Sequence, residues 1–196
     1  MYASEAYQPE FPQVIEMKVS GDNGKTWGEP VRVSDFLSSR DGMPVWTVTK
    51  EGKVLVVLEA GDDPKGIKPF VIRGKLSPDG YDWEGERFMV YAPERAISRA
   101  AAPFVVSLAD GTLVASAQVD YNPTGFDMHA VVSDDGGLSW HKTAAPFETT
   151  GDDMWNGMYA MPDGRVAALT CTNEAGNPEI RIRFGKVQKN ANHQEE

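Results

Sequence analysis

Glu59, Gln118 and Cys171 each stand seven residues after a glycine, at Gly52, Gly111 and Gly164. Arg40 and Arg99 each stand four residues before a proline, at Pro44 and Pro103. A third counterpart of those arginine segments reads Asp153-Met-Trp155-Asn156-Gly157. Together these side chains could do sugar chemistry. Glu59 closes the apolar run Val54-Leu-Val-Val-Leu58. A carboxyl desolvated at such an edge keeps its proton to higher pH, as a general acid must. Arg40 and Arg99 offer planar forks for carboxylate or hydroxyl groups. Asp41 can accept hydroxyl protons, Gln118 and Asn156 can pair with hydroxyls, and Trp155 can stack on a ring. Each type also has a structural use: a Glu paired with Arg, an Arg clamping loop carbonyls, an Asp capping a turn, a Trp in the core.

Other chemistries find less support. His129, His141 and His193 have no metal-ligand spacing, so no zinc site is expected. The acid pairs Asp62-Asp63 and Asp152-Asp153 could hold calcium, but they read as solvated loop acids. No phosphate loop and no Ser-His-Asp arrangement is found. No cofactor is expected.

The elements that position these residues repeat along the chain. Lys50-Glu-Gly52-Lys-Val54, Ala109-Asp-Gly111-Thr-Leu113 and Pro162-Asp-Gly164-Arg-Val166 each put a glycine turn before a β-rich run. Each turn follows another apolar run: Val45 to Val48, Phe104 to Leu108, and Met158 to Met161. Run, glycine turn, run is a hairpin signal. The segments entering these hairpins read as loops, and their residues should converge with Glu59, Gln118 and Cys171 at the mouth of a central channel.

A second motif has the same rhythm. Ser20-Gly-Asp22-Asn-Gly24-Lys-Thr26-Trp27 and Ser133-Asp-Asp135-Gly-Gly137-Leu-Ser139-Trp140 share the pattern S-x-D-x-G-x-[ST]-W. Ser77-Pro-Asp79-Gly80-Tyr-Asp82-Trp83 is a copy one residue shorter. The tryptophans at 27, 83 and 140 are spaced by 56 and 57 residues. Asp and Ser/Thr side chains in such a turn bind its own backbone, while glycine supplies the turn's conformation. The motif is therefore a structural turn. Four antiparallel strands per repeat of this length match a blade of a β-propeller. The fold class is all-β. The chain divides into the last two strands of one blade, two full blades, and three strands of a fourth. The partial propeller is expected over 1–187, with a disordered polar tail over 188–196. A propeller normally has ~4–8 blades, so the chain reads as a C-terminal portion of a longer one. The missing N-terminal blades are then its implied partner, and the open strand edges an aggregation hazard.

Bulk properties agree. The chain has 196 residues, 41% of them hydrophobic, and its 19 Gly and 13 Pro suit a turn-rich fold. A net charge of −10 argues against nucleic acid and anionic membrane partners. No apolar run approaches the ~18 residues of a membrane span. Cys171 is the single cysteine, which leaves no intrachain disulfide. No secretory apolar stretch opens the sequence, so an export signal is expected to have been removed or left out.

The S-x-D-x-G-x-[ST]-W turns resemble the Asp-boxes, or BNR repeats, of the sialidase superfamily. The segment Gln13-Val-Ile-Glu-Met17, the following box, Arg40-Asp41-Gly42-Met43-Pro44, Gly52 and Glu59 resemble the middle of exo-α-L-arabinanase-like propeller hydrolases. Ala102-Pro103, Ser116-Ala-Gln118 and Trp155-Asn156-Gly157 are similar to the same group. The resemblance implies a six-bladed, secreted or periplasmic exo-glycosidase with its carbohydrate pocket on the axis. It implies an acid/base role for Glu59, with Arg40, Asp41, Arg99, Gln118, Trp155 and Asn156 lining the pocket. In the arabinanase-like group the second carboxylate lies in a Glu-Pro-Phe segment of an earlier blade. Here only the loose look-alike Gln8-Pro-Glu10-Phe11 is present. The chain alone is then expected to be inactive, because a two-carboxylate mechanism needs both groups. Sialidases use an arginine cluster and a Tyr nucleophile assisted by Glu. On that reading Tyr121 or Tyr159 would be the nucleophile. The alternative in a different class is a non-catalytic carbohydrate-binding or scaffold propeller.

Overall fold

The computed structural model describes residues 13–34, 40–61, 70–94, 99–120, 125–148, 153–172 and 178–188. Tyr121, His193, the pair Asp62-Asp63, Asp152, the Gln8–Phe11 segment and the tail beyond 188 lie outside the described residues. So do the side chains of Arg40 and Asp153.

The described chain is all-β. Strands β1 (Glu16–Met17) and β2 (Val31–Arg32) form a two-stranded sheet. Strands β3 (Arg40–Val48), β4 (Val54–Gly61), β5 (Val71–Ser77) and β6 (Phe88–Tyr91) form a four-stranded sheet in chain order. Strands β7 (Arg99–Ser107), β8 (Leu113–Asp120), β9 (Phe126–Ser133) and β10 (His141–Lys142) repeat that sheet. Strands β11 (Asp153–Ala160), β12 (Val166–Thr172) and β13 (Glu179–Gly185) form a three-stranded sheet. All pairings are antiparallel. The order is that of propeller blades, with the strands distributed over four sheets as the repeats require.

The three hairpin turns are superimposable in their bonding. In the first, Thr49 N–H donates to Lys53 O at 2.8 Å and Gly52 N–H to Thr49 O at 2.9 Å. Leu108, Thr112 and Gly111 repeat this, as do Met161, Arg165 and Gly164. Gly52, Gly111 and Gly164 all have φ between 80° and 97°, a region L side chains resist.

The Asp-box turns bind themselves together as their residue types predict. Asp22 accepts Thr26 N–H at 2.8 Å and Thr26 Oγ1–H at 2.6 Å, while Ser20 Oγ accepts Gly24 N–H at 2.8 Å. Asp135, Ser139, Ser133 and Gly137 repeat the pattern. The bonds from Thr26 hold the Asp22 carboxyl down at about 2. In the shorter copy Asp79 accepts from Tyr81 N–H and Asp82 N–H instead. Trp83 and Trp140 each donate Nε1–H to the glycine carbonyl of their own box, at 2.9 Å.

The core lies between sheets. One cluster joins Leu55, Val57 and Ile72 to Ala115, Ala117 and Val131, with Phe88 and Trp140 packed against it. A second joins Val114, Met128 and Val132 to Met158, Val166 and Ala168. A third packs Ile15 and Val33 on Val56, Leu58 and Trp83. Beside the second cluster the surface opens into a pocket. A cavity of about 250 Å³ lies there, bounded by Val114, Val132, Ala145, Val166 and Ala168. On the outer side of β13, Ile180 and Phe184 stand 72% and 51% exposed.

Candidate functional site

The innermost strands β3, β7 and β11 pack side by side. Each loses register with its second strand once: between Gly42 and Val45, Ala101 and Phe104, and Met154 and Asn156. At each break a residue with a side chain takes left-handed backbone: Met43 at φ 48°, Ala102 at 46° and Trp155 at 51°. That conformation is unfavourable for L residues, and most of all for bulky ones. Each stands nine residues before its hairpin glycine, so the repeat extends to backbone strain. Pro44 and Pro103 account for two of the breaks, since proline has no N–H for the ladder. At the third, Asn156 stands in that position.

These bulges correct the reading of the entering segments as loops. Arg40-Asp41-Gly42 and Arg99-Ala-Ala101 are strand residues, paired with β4 and β8. The ladder resumes upstream of each proline because a bulge absorbs the missing pair. Glu59, Gln118 and Cys171 likewise lie within β4, β8 and β12, opposite Gly42, Ala101 and Met154.

The backbone groups that a bulge removes from the ladder still need partners. At Ala102 both come from other sheets. Its N–H donates to Glu59 Oε2 at 3.3 Å, and its carbonyl accepts from Asn156 Nδ2 at 2.7 Å. Asn156 Oδ1 accepts from Ser116 Oγ–H at 2.5 Å. Thr170 Oγ1–H donates to the Trp155 carbonyl at 3.2 Å. Glu59, Ala102, Asn156 and Ser116 thus form one polar belt across three sheets. Glu59 is only 2% exposed, while the Trp155 side chain is half exposed beside the belt.

Other expected site residues are placed differently. Asp41 is 1% exposed, and Arg87 Nη1 and Nη2 donate to its two oxygens at 2.9 and 2.5 Å. The carboxylate expected to accept sugar hydroxyls is therefore held by a cation of its own sheet. Arg99 is half exposed, with Nε 2.9 Å from Asp120 Oδ2 and its guanidinium 5.9 Å from the Phe126 ring centroid. Gln118 is 9% exposed on β8. Arg40 is placed by its backbone alone, opposite Gly61. Tyr159 is 61% exposed on β11, opposite Ala167 and outside the belt.

Two features had no local signal in the sequence. Arg87 precedes β6 and is 46 residues from Asp41, and nothing in either segment announces the pair. Tyr91 Oη meets His129 Nδ1 at 2.9 Å across the junction between β6 and β9. Burial lowers the His129 pKa from its ordinary value, partly opposed by Asp127. Among the described residues no group of three or more His, Cys, Asp or Glu could hold a metal ion.

The family pattern of the BNR repeat-like domain matches residues 10–180. The chain belongs to that family. No curated protein sequence matches it. The fold of this BNR repeat-like chain is similar to those of solved sialidases and an arabinanase. The Hadza microbial sialidase Hz136 is 18% identical, with a TM-score of 0.67 over 86% of this chain and 38% of that one. The leech intramolecular trans-sialidase is 20% identical, with a TM-score of 0.56 over 91% of this chain and 27% of that one. The α-L-arabinanase of Penicillium chrysogenum is 12% identical, with a TM-score of 0.54 over 88% of this chain and 67% of that one. The chain thus spans under half the length of the two sialidases. At these identities the likeness is one of fold, and the fold is one that glycoside hydrolases use.

Proposed function

We propose that this chain forms part of the axial pocket of a secreted or periplasmic exo-acting glycoside hydrolase that removes terminal sugars. The observation that carries this reading is the convergence at the bulges. The bulge of the inner strand β7 meets the buried Glu59 carboxylate of β4 on one side and Asn156 of β11, next to the half-exposed Trp155 indole, on the other. The superfamily likeness supports the carbohydrate class of ligand.

In this reading Glu59 is the acid/base group. It is nearly fully buried and lies beside the β7 bulge, where it accepts the Ala102 N–H. Arg40 and Arg99 meet carboxylate or hydroxyl groups of the sugar, Gln118 binds a hydroxyl, and Trp155 stacks on the ring. Asp41 acts through Arg87 rather than on the ligand. The second carboxylate comes from blades beyond the described residues, so the chain alone has no turnover. No cofactor enters the reaction, because two carboxyl groups do the proton work.

The test is Glu59→Gln in a polypeptide holding the complete ring, assayed on 3′-sialyllactose and on arabinobiose. We expect turnover to fall by about 100-fold or more with binding retained, the scale of a lost general acid. Unchanged turnover removes Glu59 from the mechanism. One observation favours a second reading, a carbohydrate-binding propeller without hydrolysis: Glu59 Oε2 already accepts the Ala102 N–H. Binding of either sugar with no turnover in the complete ring would select that reading.

A further inference from the structure

Position 156 is unlike its counterparts. Pro44 and Pro103 follow the left-handed residues Met43 and Ala102, whereas Asn156 follows Trp155. A proline presets its own φ and cannot donate a hydrogen bond. The asparagine amide does donate, and both of its polar atoms are committed to the protein. Nδ2–H bonds the Ala102 carbonyl at 2.7 Å, and Oδ1 accepts the Ser116 hydroxyl at 2.5 Å. The Ala102 carbonyl is an acceptor only, so it selects the orientation of the amide.

The residue just before it carries the largest strain of the three breaks. A tryptophan at φ 51° holds that conformation only where its surroundings over-determine it. Two anchors do so here. Thr170 Oγ1–H, on β12, is shared between the Trp155 and Cys171 carbonyls, and the Asn156 side chain ties the next residue to β7 and β8. The Trp155 side chain is left half exposed, on a backbone fixed from both sides.

We infer that Asn156 is a positioning residue that sets the pose of the Trp155 ring, rather than a residue that binds the sugar. Its amide joins the bulge of β11 to the bulge of β7, so the indole's position is fixed relative to Glu59, which binds the other side of Ala102. The inference concerns the chain's own geometry, and only its effect on a ligand rests on the sugar-stacking reading.

The experiment compares Asn156→Ala, Asn156→Asp and Ser116→Ala in the full 196-residue chain. Trp155 emission is isolated by subtracting the spectrum of Trp155→Phe, and folding is checked by circular dichroism. With Asn156→Ala we expect acrylamide quenching of Trp155 to rise about twofold and its emission to shift to the red. Asn156→Asp should show the same loosening at neutral pH, where a carboxylate faces the Ala102 carbonyl. It should recover in acid, because a protonated carboxyl can donate that bond again, and wild type should show no such recovery. Ser116→Ala removes one of the two bonds and should fall between wild type and Asn156→Ala. Trp155 emission unchanged by Asn156→Ala, or a wild-type pH profile for Asn156→Asp, overturns the inference. If Asn156→Ala fails to fold, the acid recovery of Asn156→Asp decides.

The sugar reading is tested separately by titrating 3′-sialyllactose and arabinobiose into a polypeptide holding the complete ring, with and without Asn156→Ala. Quenching of Trp155 in wild type, weakened about tenfold in Asn156→Ala, supports both. No response of wild type to either sugar overturns the stacking role of Trp155, while the acrylamide result still decides the role of Asn156.

Discussion

Two of the junctions between blades are built from the same repeat and packed differently. Between β3–β6 and β7–β10, Phe88 lies across Gly74 so closely that an added Cβ would meet its ring at 2.2 Å. Leu55, Leu113 and Trp140 complete that junction. Between β7–β10 and β11–β13 the register-equivalent positions hold smaller side chains, the glycine apart. Ala130 replaces Gly74, Thr143 replaces Phe88, and Val114 and Val166 replace Leu55 and Leu113. Among the described residues no indole packs against that core. Ser77 and Ser133, which open Asp-boxes, pair with the first residues of β4 and β8. The same register position opposite Val166 is Gly185. The cavity of about 250 Å³ lies beside Val166 and Gly185. At the first junction Trp140 is packed against the core. The box tryptophan works as the plug of the junction.

The largest test of that statement contrasts two box tryptophans. Trp83 is 5% exposed within a junction, whereas Trp27 is 61% exposed. Trp83→Ala should lower the stability to urea unfolding by about 3–5 kcal/mol, as for other buried aromatics. Trp27→Ala should stay within about 0.5 kcal/mol of wild type. Similar losses for both would mean that the box tryptophans stabilise their own turns rather than a junction.

A smaller contrast uses one substitution at equivalent positions. Gly74→Leu drives a side chain into the Phe88 ring and should cost about 3 kcal/mol. Ala130→Leu points the same side chain into the cavity and should be neutral or stabilising by about 1 kcal/mol. Equal costs would show that the second junction closes up without needing to be filled.

The smallest effect concerns acid. His129, bonded to Tyr91 across the filled junction, has its pKa lowered from 6.5 by burial. Its contribution to stability is complete above about 6.5 and is lost as pH falls through the lowered folded-state value. Wild type should therefore lose melting temperature on acidification below pH ~6.5. His129→Gln keeps an acceptor for the Tyr91 hydroxyl without a titrating group, and it should lose less. Equal acid sensitivity of the two proteins would place the effect elsewhere.

Much of the fold was legible because it depends on short-range chemistry. Asp22 and Asp135 bind backbone four residues away, and Gly52, Gly111 and Gly164 bend their own hairpins. Such contacts repeat wherever their residues repeat, so spacing alone counted the blades. The site was less legible. Glu59 was reached through its distance from Gly52, but its partner is Ala102, 43 residues away. The segments of Arg40 and Arg99 read as loops in the sequence, whereas bulges beside Pro44 and Pro103 let their strands continue. Asp41 was expected to face a ligand, and it is Arg87, from the far side of its sheet, that occupies both of its oxygens.

The sequence by itself determined the all-β class, the four-stranded repeat, the turn chemistry and the division into two whole and two partial blades. Periodicity and glycine placement are local properties of a chain, and they hold in any packing of it. Only the tertiary structure decided which polar groups are available to a ligand. Whether Asn156 offers its amide to a sugar or to Ala102, and whether Glu59 faces solvent or a neighbouring bulge, depends on which sheets lie against one another. Burial makes an unsatisfied backbone group unfavourable, so the bulges take the nearest side chains as partners. That choice is made between blades, over separations that the repeat does not encode.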